Sequence, residues 1–402
     1  MPPNAKSACP VCSAGAEEFL RRANVPVHQN LLMAEAAAAR RATRGTLALN
    51  VCPDCGFVFN AAFDPSLLSY GPDYDNTQTL SAAFERHVAG LVRELVEVQG
   101  VRGCRIVEVG CGKGGFLRQL VAYPGAANVG VGFDPSYQGP LADLDGRLRF
   151  ERRFFDGAAG LTADIVVCRH VIEHVPDPLQ LLRSVRSALA SSPRARVFFE
   201  TPCALWILRH QVIWDFFYEH CSLFTADALA HAFTAAGFSV TTVRHVFGGQ
   251  YLWLDGRVSS AETIATNRAE SLLALARQFA AAEAARVAGW RRDLERLAVV
   301  GPLAVWGAGA KGVTFCNLVD PDSKRIACVV DINPAKQGKY VAGTGHPILA
   351  PGQAVSEGIA AALVLNPNYV EEVAATLARH GSRAAVVDLM RPQADQEFPL
   401  AS

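Results

Sequence analysis

The sequence lacks any apolar stretch long enough to cross a bilayer. Its longest apolar stretches are short ones, such as Ile165–Cys168 and Ile359–Leu365, whereas a transmembrane helix needs about 20 apolar residues. The first ten residues, MPPNAKSACP, also lack the apolar core of a signal peptide. These two absences predict a cytoplasmic protein with no membrane partner.

The sequence also has no excess of basic residues, because 38 lysines and arginines face 38 aspartates and glutamates. A protein that neutralises a phosphate backbone needs a basic surface, so a nucleic-acid partner is not expected. There is no low-complexity tail and no short-period repeat. What the sequence does have is eleven cysteines, which in a reducing compartment are expected to be thiols or metal ligands.

At about 100–200 residues per domain, 402 residues predict two or three domains. Residues 1–85 contain paired cysteines and are predicted to be irregular. Residues 86–257 and 299–402 each alternate short β-branched runs with helical stretches, a pattern typical of a parallel sheet in an α/β fold. Residues 258–298, rich in alanine, arginine and glutamate, predict a long amphipathic helix that bridges the two α/β blocks.

The short β-branched runs in the two blocks are predicted to be strands. In the first block they are Arg105–Val109, Asn128–Phe133, Ala163–Val167 and Ala195–Phe199, and in the second block Leu303–Trp306, Ile326–Val330, Ala361–Leu365 and Ala384–Leu389.

Two Cys-x-x-Cys pairs lie about 40 residues apart. They are Cys9 with Cys12 and Cys52 with Cys55, and each pair contains a Cys-Pro step. Four thiolates suit tetrahedral zinc, and a filled shell leaves no position for a reacting water, so the site is predicted to be structural. The alternatives are a redox pair or two unrelated buried pairs. His28 lies between the pairs and is predicted to be a surface residue because the metal shell is already full.

The first glycine-rich loop follows a predicted strand in the segment Ile106–Gly114, and a helix begins at Gly115. The loop glycines permit a tight turn and let a ligand approach the backbone. Glu108 places a carboxylate near the end of this strand, and Asp134 ends the next one, where it can bind both hydroxyls of a ribose. A carboxylate at Glu108 favours a cationic ligand and repels a phosphate, although an NAD-type Rossmann unit remains the alternative.

The second glycine-rich loop, Gly307–Gly312, is a literal G-x-G-x-x-G after a strand. Asp331 closes the next strand about 20 residues later, so the pattern alone meets the dinucleotide fingerprint. Lys311, at the predicted start of a helix, suits a diphosphate, or it is simply a solvated lysine. A bifunctional protein whose C-terminal part binds NAD is therefore one candidate.

The stretches EVGCGKGGFL, GFD and DIVVCRHVIEHVPDPLQLL resemble motifs of class I S-adenosylmethionine methyltransferases. The stretches VVDINPAKQGKYVAGTGHPI and VLNPNY are similar to the C-terminal domain of C-methyltransferases that act on nucleotide-linked deoxysugars in antibiotic pathways. The resemblance covers nearly the whole chain, including the paired cysteines and the Tyr70–Tyr74 segment. It implies a zinc-binding N-terminal domain, a Rossmann-like methyltransferase core over 86–257 and a Rossmann-like C-terminal domain that helps to hold the nucleotide diphosphate.

The resemblance also implies site residues. Cofactor contacts are expected from Glu108, Gly110, Gly112, Gly114, Asp134, Phe155, Asp156 and His170. Substrate contacts are expected from Tyr70, Lys311, Lys336, Asn366 and Tyr369. The chemistry is expected from His220 as the base, Glu219 as an orienting or substrate group, His174 near the methyl-transfer axis and Tyr74 closing over the cofactor.

A histidine base suits C-methylation because a carbon nucleophile is made by removing a proton alpha to a ketone, and histidine accepts protons near neutral pH. The sequence departs from the sugar enzymes at Phe217, where they carry tyrosine, and at Asn76-Thr-Gln-Thr, where they are rich in serine. Carbon, oxygen and nitrogen acceptors therefore stay open, as do other natural-product or polysaccharide intermediates. The segment from Trp214 to Phe224 could instead be an aromatic-rich lid, and the whole chain a non-catalytic scaffold. A monomer or a homodimer is expected.

Overall fold

The computed structural model describes residues 7–31, 33–68, 80–157, 162–259 and 270–391. These residues form three sheets with helices packed around them, which confirms the predicted α/β class. In this part of the chain, no helix has both the length and the apolar composition needed to span a bilayer.

The N-terminal residues form an antiparallel sheet. Its strands are β1 (Ser7–Ala8), β2 (Gly15–Pro26), β3 (Arg44–Val51) and β4 (Val58–Asn60), and the short helix α1 (Ala36–Arg40) lies between β2 and β3 in the chain. A two-residue strand at Ser222–Leu223 completes the sheet by pairing with β4. The prediction that residues 1–85 are irregular is therefore wrong for the described part. The prediction failed because two register shifts of β2 against β3 interrupt the alternation of buried and exposed residues that identifies a strand.

The central sheet has eight strands. The elements of this part of the chain, in chain order, are α2 (Ala82–Arg93), β5 (Arg105–Val109), α3 (Gly115–Ala122), β6 (Val129–Phe133), β7 (Ala142–Asp143), β8 (Leu148–Glu151), β9 (Ile165–Arg169), α4 (Pro178–Ala188), β10 (Arg196–Pro202), α5 (Ala204–His210), β11 (Ser222–Leu223), α6 (Ala226–Ala235), β12 (Phe238–Val246) and β13 (Tyr251–Val258). Of these, β11 belongs to the N-terminal sheet, and a π-helical turn over Glu94–Val98 follows α2.

The strand order of this sheet is β12-β13-β10-β9-β5-β6-β8-β7. β5 lies between β6 and β9 and runs parallel to both, so the order reverses at β5. Open α/β sheets bind ligands beyond the carboxyl ends of their strands at such a reversal. β13 is antiparallel to β10 and pairs Tyr251 with Pro202. Tyr251 therefore begins its strand at the edge of the sheet where the parallel strands end.

The C-terminal sheet is parallel throughout, in the order β16-β15-β14-β17-β18. Its elements are β14 (Leu303–Trp306), α8 (Ala310–Val319), β15 (Ile326–Val330), β16 (Ile348–Leu349), α9 (Pro351–Ser356), β17 (Ala361–Val364), α10 (Val370–Arg379) and β18 (Ala385–Asp388).

The helix α7 (Glu270–Ala298) joins the two α/β parts. One apolar core includes Leu47 of the N-terminal sheet, Phe279 of α7 and Leu303 of the C-terminal sheet. A second apolar core joins Phe57, beside β4, to Val107 of the central sheet. Together the two cores hold the three sheets against one another, because separating them would expose apolar surface to water. Groups from all three parts can therefore meet in one site.

Candidate active site

The three glycines of the first loop are needed for different structural reasons. Gly110, Gly112 and Gly114 all have positive φ, at 70°, 53° and 73°, which favours glycine. A Cβ added to Gly110 would lie 2.1 Å from Val171 Cγ2, and one added to Gly114 would lie 2.4 Å from the Phe150 ring. A Cβ on Gly112 would meet no described atom within 4 Å. Gly112 therefore borders the open space that a ligand can occupy.

Two carboxylates accompany this loop. Asp134 accepts a 2.8 Å hydrogen bond from the Gly112 N–H through Oδ2, and its Oδ1 accepts from Ser136. Glu108 is buried, and its Oε2 has no hydrogen-bond partner among the described residues. Burial raises the pKa of Glu108 to about 8, although Arg169 acts in the opposite direction. The Glu108 carboxyl is therefore protonated at neutral pH until a cation binds beside it.

Binding of S-adenosylmethionine should release protons if Glu108 lies beside the cofactor. With a pKa of about 8, the carboxyl is about 90% protonated at pH 7, and the cationic ligand lowers that pKa because it favours the charged form. Calorimetric titration at pH 7 in buffers of different ionisation enthalpy should show about one proton released per ligand, and almost none at about pH 10. Glu108→Gln should bind more weakly and release none. Equal release by that variant would contradict the assignment.

Phe155 and Asp156 follow β8, at the position predicted to flank the adenine. The Phe155 ring packs edge-on against Phe133, with ring centroids 5.4 Å apart. Asp156 is exposed and forms an ion pair with Arg153 at 3.0 Å. Their roles toward the cofactor stay predictions.

A buried polar network lies at the carboxyl ends of β9 and β10. Glu200 is fully buried, and its two oxygens lie 2.6 Å from His87 Nε2 and 2.7 Å from Arg169 Nε. His170 lies between two carboxylates, with Nδ1 3.3 Å from Glu173 and Nε2 3.4 Å from Glu200. Burial lowers the pKa of His170, but these carboxylates outweigh it and raise the pKa to about 9. His170 is therefore a fixed cation, and its predicted contact with the cofactor stays a prediction.

Sequence reasoning did not single out His87, Arg169 or Glu200 as functional. The available signal was polar residues at the ends of two apolar strands, Arg169 on β9 and Glu200 on β10. The contact with His87 of α2 could not be predicted, because 113 residues separate the partners.

The candidate base, His220, lies in a compact cluster. Its ring is 4.0 Å from the Phe217 ring and 4.8 Å from the His174 ring, centroid to centroid. Burial lowers the pKa of His220 well below 6.5, and the neighbouring His174 adds to the effect. The imidazole is therefore neutral at physiological pH and able to accept a proton.

His220, His174 and Glu173 have ligand atoms within 4.8 Å of one another, a donor set that could hold a metal ion. However, the two Glu173 oxygens already lie within hydrogen-bond distance of His170 Nδ1 and Thr201 Oγ1, at 3.3 and 3.1 Å. These bonds favour a polar cluster over a metal centre.

Glu219 is held by the loop that follows β2. It is 0% exposed, with Oε1 3.2 Å from His28 Nδ1 and Oε2 accepting a 3.2 Å hydrogen bond from the Gln29 N–H. The prediction that His28 is a surface residue is wrong, since His28 is only 6% exposed. Because both oxygens are engaged, the geometry favours an orienting role for Glu219 over direct substrate contact.

A cavity of about 260 Å³ joins this cluster to the C-terminal sheet. One wall contains His174, Glu219 and His220, and the other contains the Gly307–Gly312 loop. The predicted substrate residues Lys311, Lys336, Asn366 and Tyr369 also line it. Tyr70 and Tyr74 lie outside the described residues.

The two lysines of this cavity differ in whether a carboxylate is paired with them. Lys311 forms an ion pair with Asp215 and a 3.2 Å hydrogen bond to Gln250 Oε1. Lys336 is only 4% exposed and donates to the Ala308 carbonyl at 3.0 Å, with no carboxylate partner among the described residues. A buried ammonium without a counterion is costly, so Lys336 is the stronger candidate for holding an anion.

The second glycine loop leads into α8. Gly309 is its N-cap, makes no side-chain capping bond, and a Cβ there would meet only Asn30 Oδ1, at 4.0 Å. Asp331 accepts hydrogen bonds from the Ala308 and Asn333 N–H groups, and Asn333 Nδ2 is buried with no partner among the described residues. Free helix N–H groups, a buried ammonium and an unsatisfied amide donor together suit a bound phosphate.

The four paired cysteines meet in one cluster. Their sulfurs all lie within 4.8 Å of one another, with Cys9 to Cys55 at 3.6 Å and Cys12 to Cys52 at 3.4 Å. A tetrahedral site with zinc–sulfur bonds of about 2.3 Å places its sulfurs about 3.8 Å apart, so the donor set fits zinc.

The two cysteine turns also share one backbone pattern. The Cys9 N–H donates to the Ala14 carbonyl, and the Cys52 N–H donates to the Phe57 carbonyl. Ser13 and Gly56, each following the second cysteine of its pair, both have positive φ. Two matching turns present their thiols from opposite sides of one point, as a four-coordinate metal requires.

Two segments of the chain match models of known protein families. A methyltransferase-domain model matches residues 79–243, and a model of the C-methyltransferase C-terminal domain matches residues 262–387. The C-methyltransferase NovU of Streptomyces niveus is 28% identical over 316 residues, which are 72% of each chain.

Two further relatives cover less. The ubiquinone biosynthesis O-methyltransferase of Vibrio campbellii is 34% identical over 114 residues, and the match spans 27% of this chain and about half (47%) of that enzyme. The solved 1,6-didemethyltoxoflavin-N1-methyltransferase of Burkholderia thailandensis is 18% identical, with a TM-score of 0.35, over 46% of this chain and 82% of that one. With the glycine loop and its carboxylates, the family matches lead to one conclusion: the chain is an S-adenosylmethionine-dependent methyltransferase, and its residues 262–387 match the C-methyltransferase C-terminal domain.

Proposed function

We propose that the chain methylates a carbon atom alpha to the carbonyl of a nucleotide-linked keto-deoxysugar. The single observation that carries this proposal is the shared cavity, in which the neutral His220 faces the phosphate-suited surface of α8 and Lys336. A base for carbon acids and an anion site within one cavity fit a small ketone that carries a diphosphate.

In this proposal, His220 takes the proton from the alpha carbon while Glu219, held by His28 and Gln29, keeps the loop of the base in place. Bound S-adenosylmethionine supplies a methyl group as the electrophile. The diphosphate is held by the free N–H groups of α8, Lys336 and Asn333, which anchors the sugar without taking part in the chemistry.

The similarity to NovU, a C-methyltransferase, and to the C-methyltransferase C-terminal domain supports transfer to carbon. The test uses a thymidine diphosphate-linked keto-deoxyhexose in heavy water with S-adenosylhomocysteine bound. We expect exchange of its alpha hydrogen and, with S-adenosylmethionine, a product whose new methyl group is bonded to carbon by NMR. Methyl transfer without exchange would overturn the proposal.

A second candidate is methylation of an oxygen or nitrogen atom on another natural-product or polysaccharide intermediate. The similarity to ubiquinone O-methyltransferases over part of the core favours it. It predicts that the probe exchanges no carbon-bound hydrogen, so the same experiment separates the two. A third candidate, NAD binding at the second glycine loop, requires tight NADH binding that is lost in Gly309→Val.

We propose that the four-cysteine cluster holds one structural zinc ion, supported by the sulfur geometry and the paired turns. Purified protein should contain about one zinc per chain. Cys52→Ser should lose the metal and aggregate or melt at a lower temperature, because the ion contributes folding energy. Cys104→Ser, at a cysteine outside the cluster, should keep both metal and melting temperature. A folded, metal-free wild-type protein would contradict the proposal.

A further inference from the structure

Tyr251 has a hydroxyl without a described partner in the active-site cavity. The residue begins β13 at the edge of the sheet where the parallel strands end, lines the cavity, and is only 8% exposed. Its hydroxyl makes no hydrogen bond to any described residue. Because Tyr251 lines the cavity, a ligand bound there can supply an acceptor to this hydroxyl.

The ring of Tyr251 is fixed from two sides. It stacks on Phe247, with centroids 5.2 Å apart and planes at 8°, and meets the edge of the His170 ring at 4.6 Å. Burial raises the pKa of Tyr251 well above 10, so the phenol stays protonated at physiological pH. It is therefore a rigidly held donor and not a base.

Other groups near the base are not free to donate. Phe217, in contact with His220, has no hydroxyl. The Tyr218 hydroxyl is bonded to the backbone of Asp64, and the Lys311 ammonium is paired with Asp215. Tyr251 is thus a neutral donor on the methyltransferase side of the cavity that is available to a substrate oxygen.

We propose that Tyr251 is a catalytic residue that donates a hydrogen bond to the carbonyl oxygen of the substrate as that oxygen becomes an enolate. This role rests on the proposed function. When the bond between the alpha carbon and its hydrogen breaks, the proton goes to His220 and the electron pair moves into the carbonyl, which leaves a negative charge on oxygen. The enolate carbon then bonds to the methyl group, while the carbon–sulfur bond of the cofactor breaks and its electron pair stays on sulfur.

A donor to a developing oxyanion acts mainly in the transition state, so its removal lowers turnover more than substrate affinity. With the thymidine diphosphate-linked keto-deoxyhexose as the probe, Tyr251→Phe should lower both kcat and the alpha-hydrogen exchange seen with S-adenosylhomocysteine by about 100- to 1,000-fold. KM and cofactor affinity should stay close to those of the wild type. The variant should melt close to the wild type, because no described residue loses a hydrogen-bond partner when this hydroxyl is removed.

The control is Tyr123→Phe, which removes a hydroxyl bonded to Glu97 outside the cavity and should leave every rate unchanged. If the wild type exchanges the alpha hydrogen and Tyr251→Phe does so at the same rate, the role of Tyr251 is overturned and the proposed function stands. If the wild type shows no exchange, both are overturned. A parallel loss of exchange and kcat with KM retained supports Tyr251, because a purely structural defect would also raise KM or lower the melting temperature.

Discussion

Replacement of His220 by alanine should lower turnover by about 100- to 10,000-fold, the usual contribution of a positioned general base. The ring lies between Phe217 and His174 in a cavity that also reaches the C-terminal sheet. Removing it leaves no neutral imidazole at that position, while the glycine loop that is expected to hold the cofactor is untouched. Affinity for S-adenosylhomocysteine should therefore be unchanged.

Exchange of the alpha hydrogen separates proton removal from methyl transfer. With S-adenosylhomocysteine bound in heavy water, the wild type should exchange this hydrogen and His220→Ala should not. His210→Ala, at an exposed histidine that ends α5, should behave as the wild type. Normal exchange by the His220 variant would assign the base to another residue, with His174 and then Tyr74 as the next candidates.

The pH dependence follows from the same residue. Because burial lowers the pKa of His220 well below 6.5, the neutral base persists as pH falls from 8 through 6.5. The value of kcat/KM for the sugar substrate should stay level across that range and decline only in more acidic buffer. It is measured with S-adenosylmethionine saturating at every pH, so that the titration of Glu108 on cofactor binding does not contribute. An acid limb at or above pH 6.5 in the wild type would indicate a base with a different environment.

Local patterns were predicted well, because a strand followed by a glycine loop is a short-range feature. Arg105–Val109 and Leu303–Trp306 form strands within the predicted bounds. The sequence could not predict why each loop glycine is needed, since only the fold brings Val171 against Gly110 and Phe150 against Gly114.

Partners distant in sequence could not be predicted. Glu219 and His28 are 191 residues apart. Glu219 lies shortly before β11, the strand that joins the N-terminal sheet, so the fold and not the local sequence brings the two residues together. The helix-start position favoured Lys311 as the diphosphate ligand, yet only the structure shows that Asp215 already neutralises it. Lys336 is the stronger candidate for binding the diphosphate, because it is buried and, unlike Lys311, has no carboxylate partner among the described residues.

Substitution of Gly112 by valine should abolish binding of S-adenosylhomocysteine. A Cβ at this position points into space that no described atom occupies within 4 Å, beside the N–H that donates to Asp134. The valine side chain would fill that space. Gly112 also has a positive φ of 53°, which valine adopts unfavourably, at a cost to stability of about 1–2 kcal/mol.

The backbone cost needs a matched control, and Gly103→Val provides it. Gly103 has a φ of 62° and equally open surroundings, but it precedes β5 and lies away from the loop. Both variants should therefore melt lower by a similar amount, while calorimetric titration detects S-adenosylhomocysteine binding only in Gly103→Val.

Gly309→Val, at the second loop, should also bind the cofactor normally, since the φ of Gly309 is −95° and unstrained, and the open space beside it faces the proposed phosphate site. Loss of cofactor binding in Gly309→Val, with binding retained in Gly112→Val, would exchange the roles of the two loops.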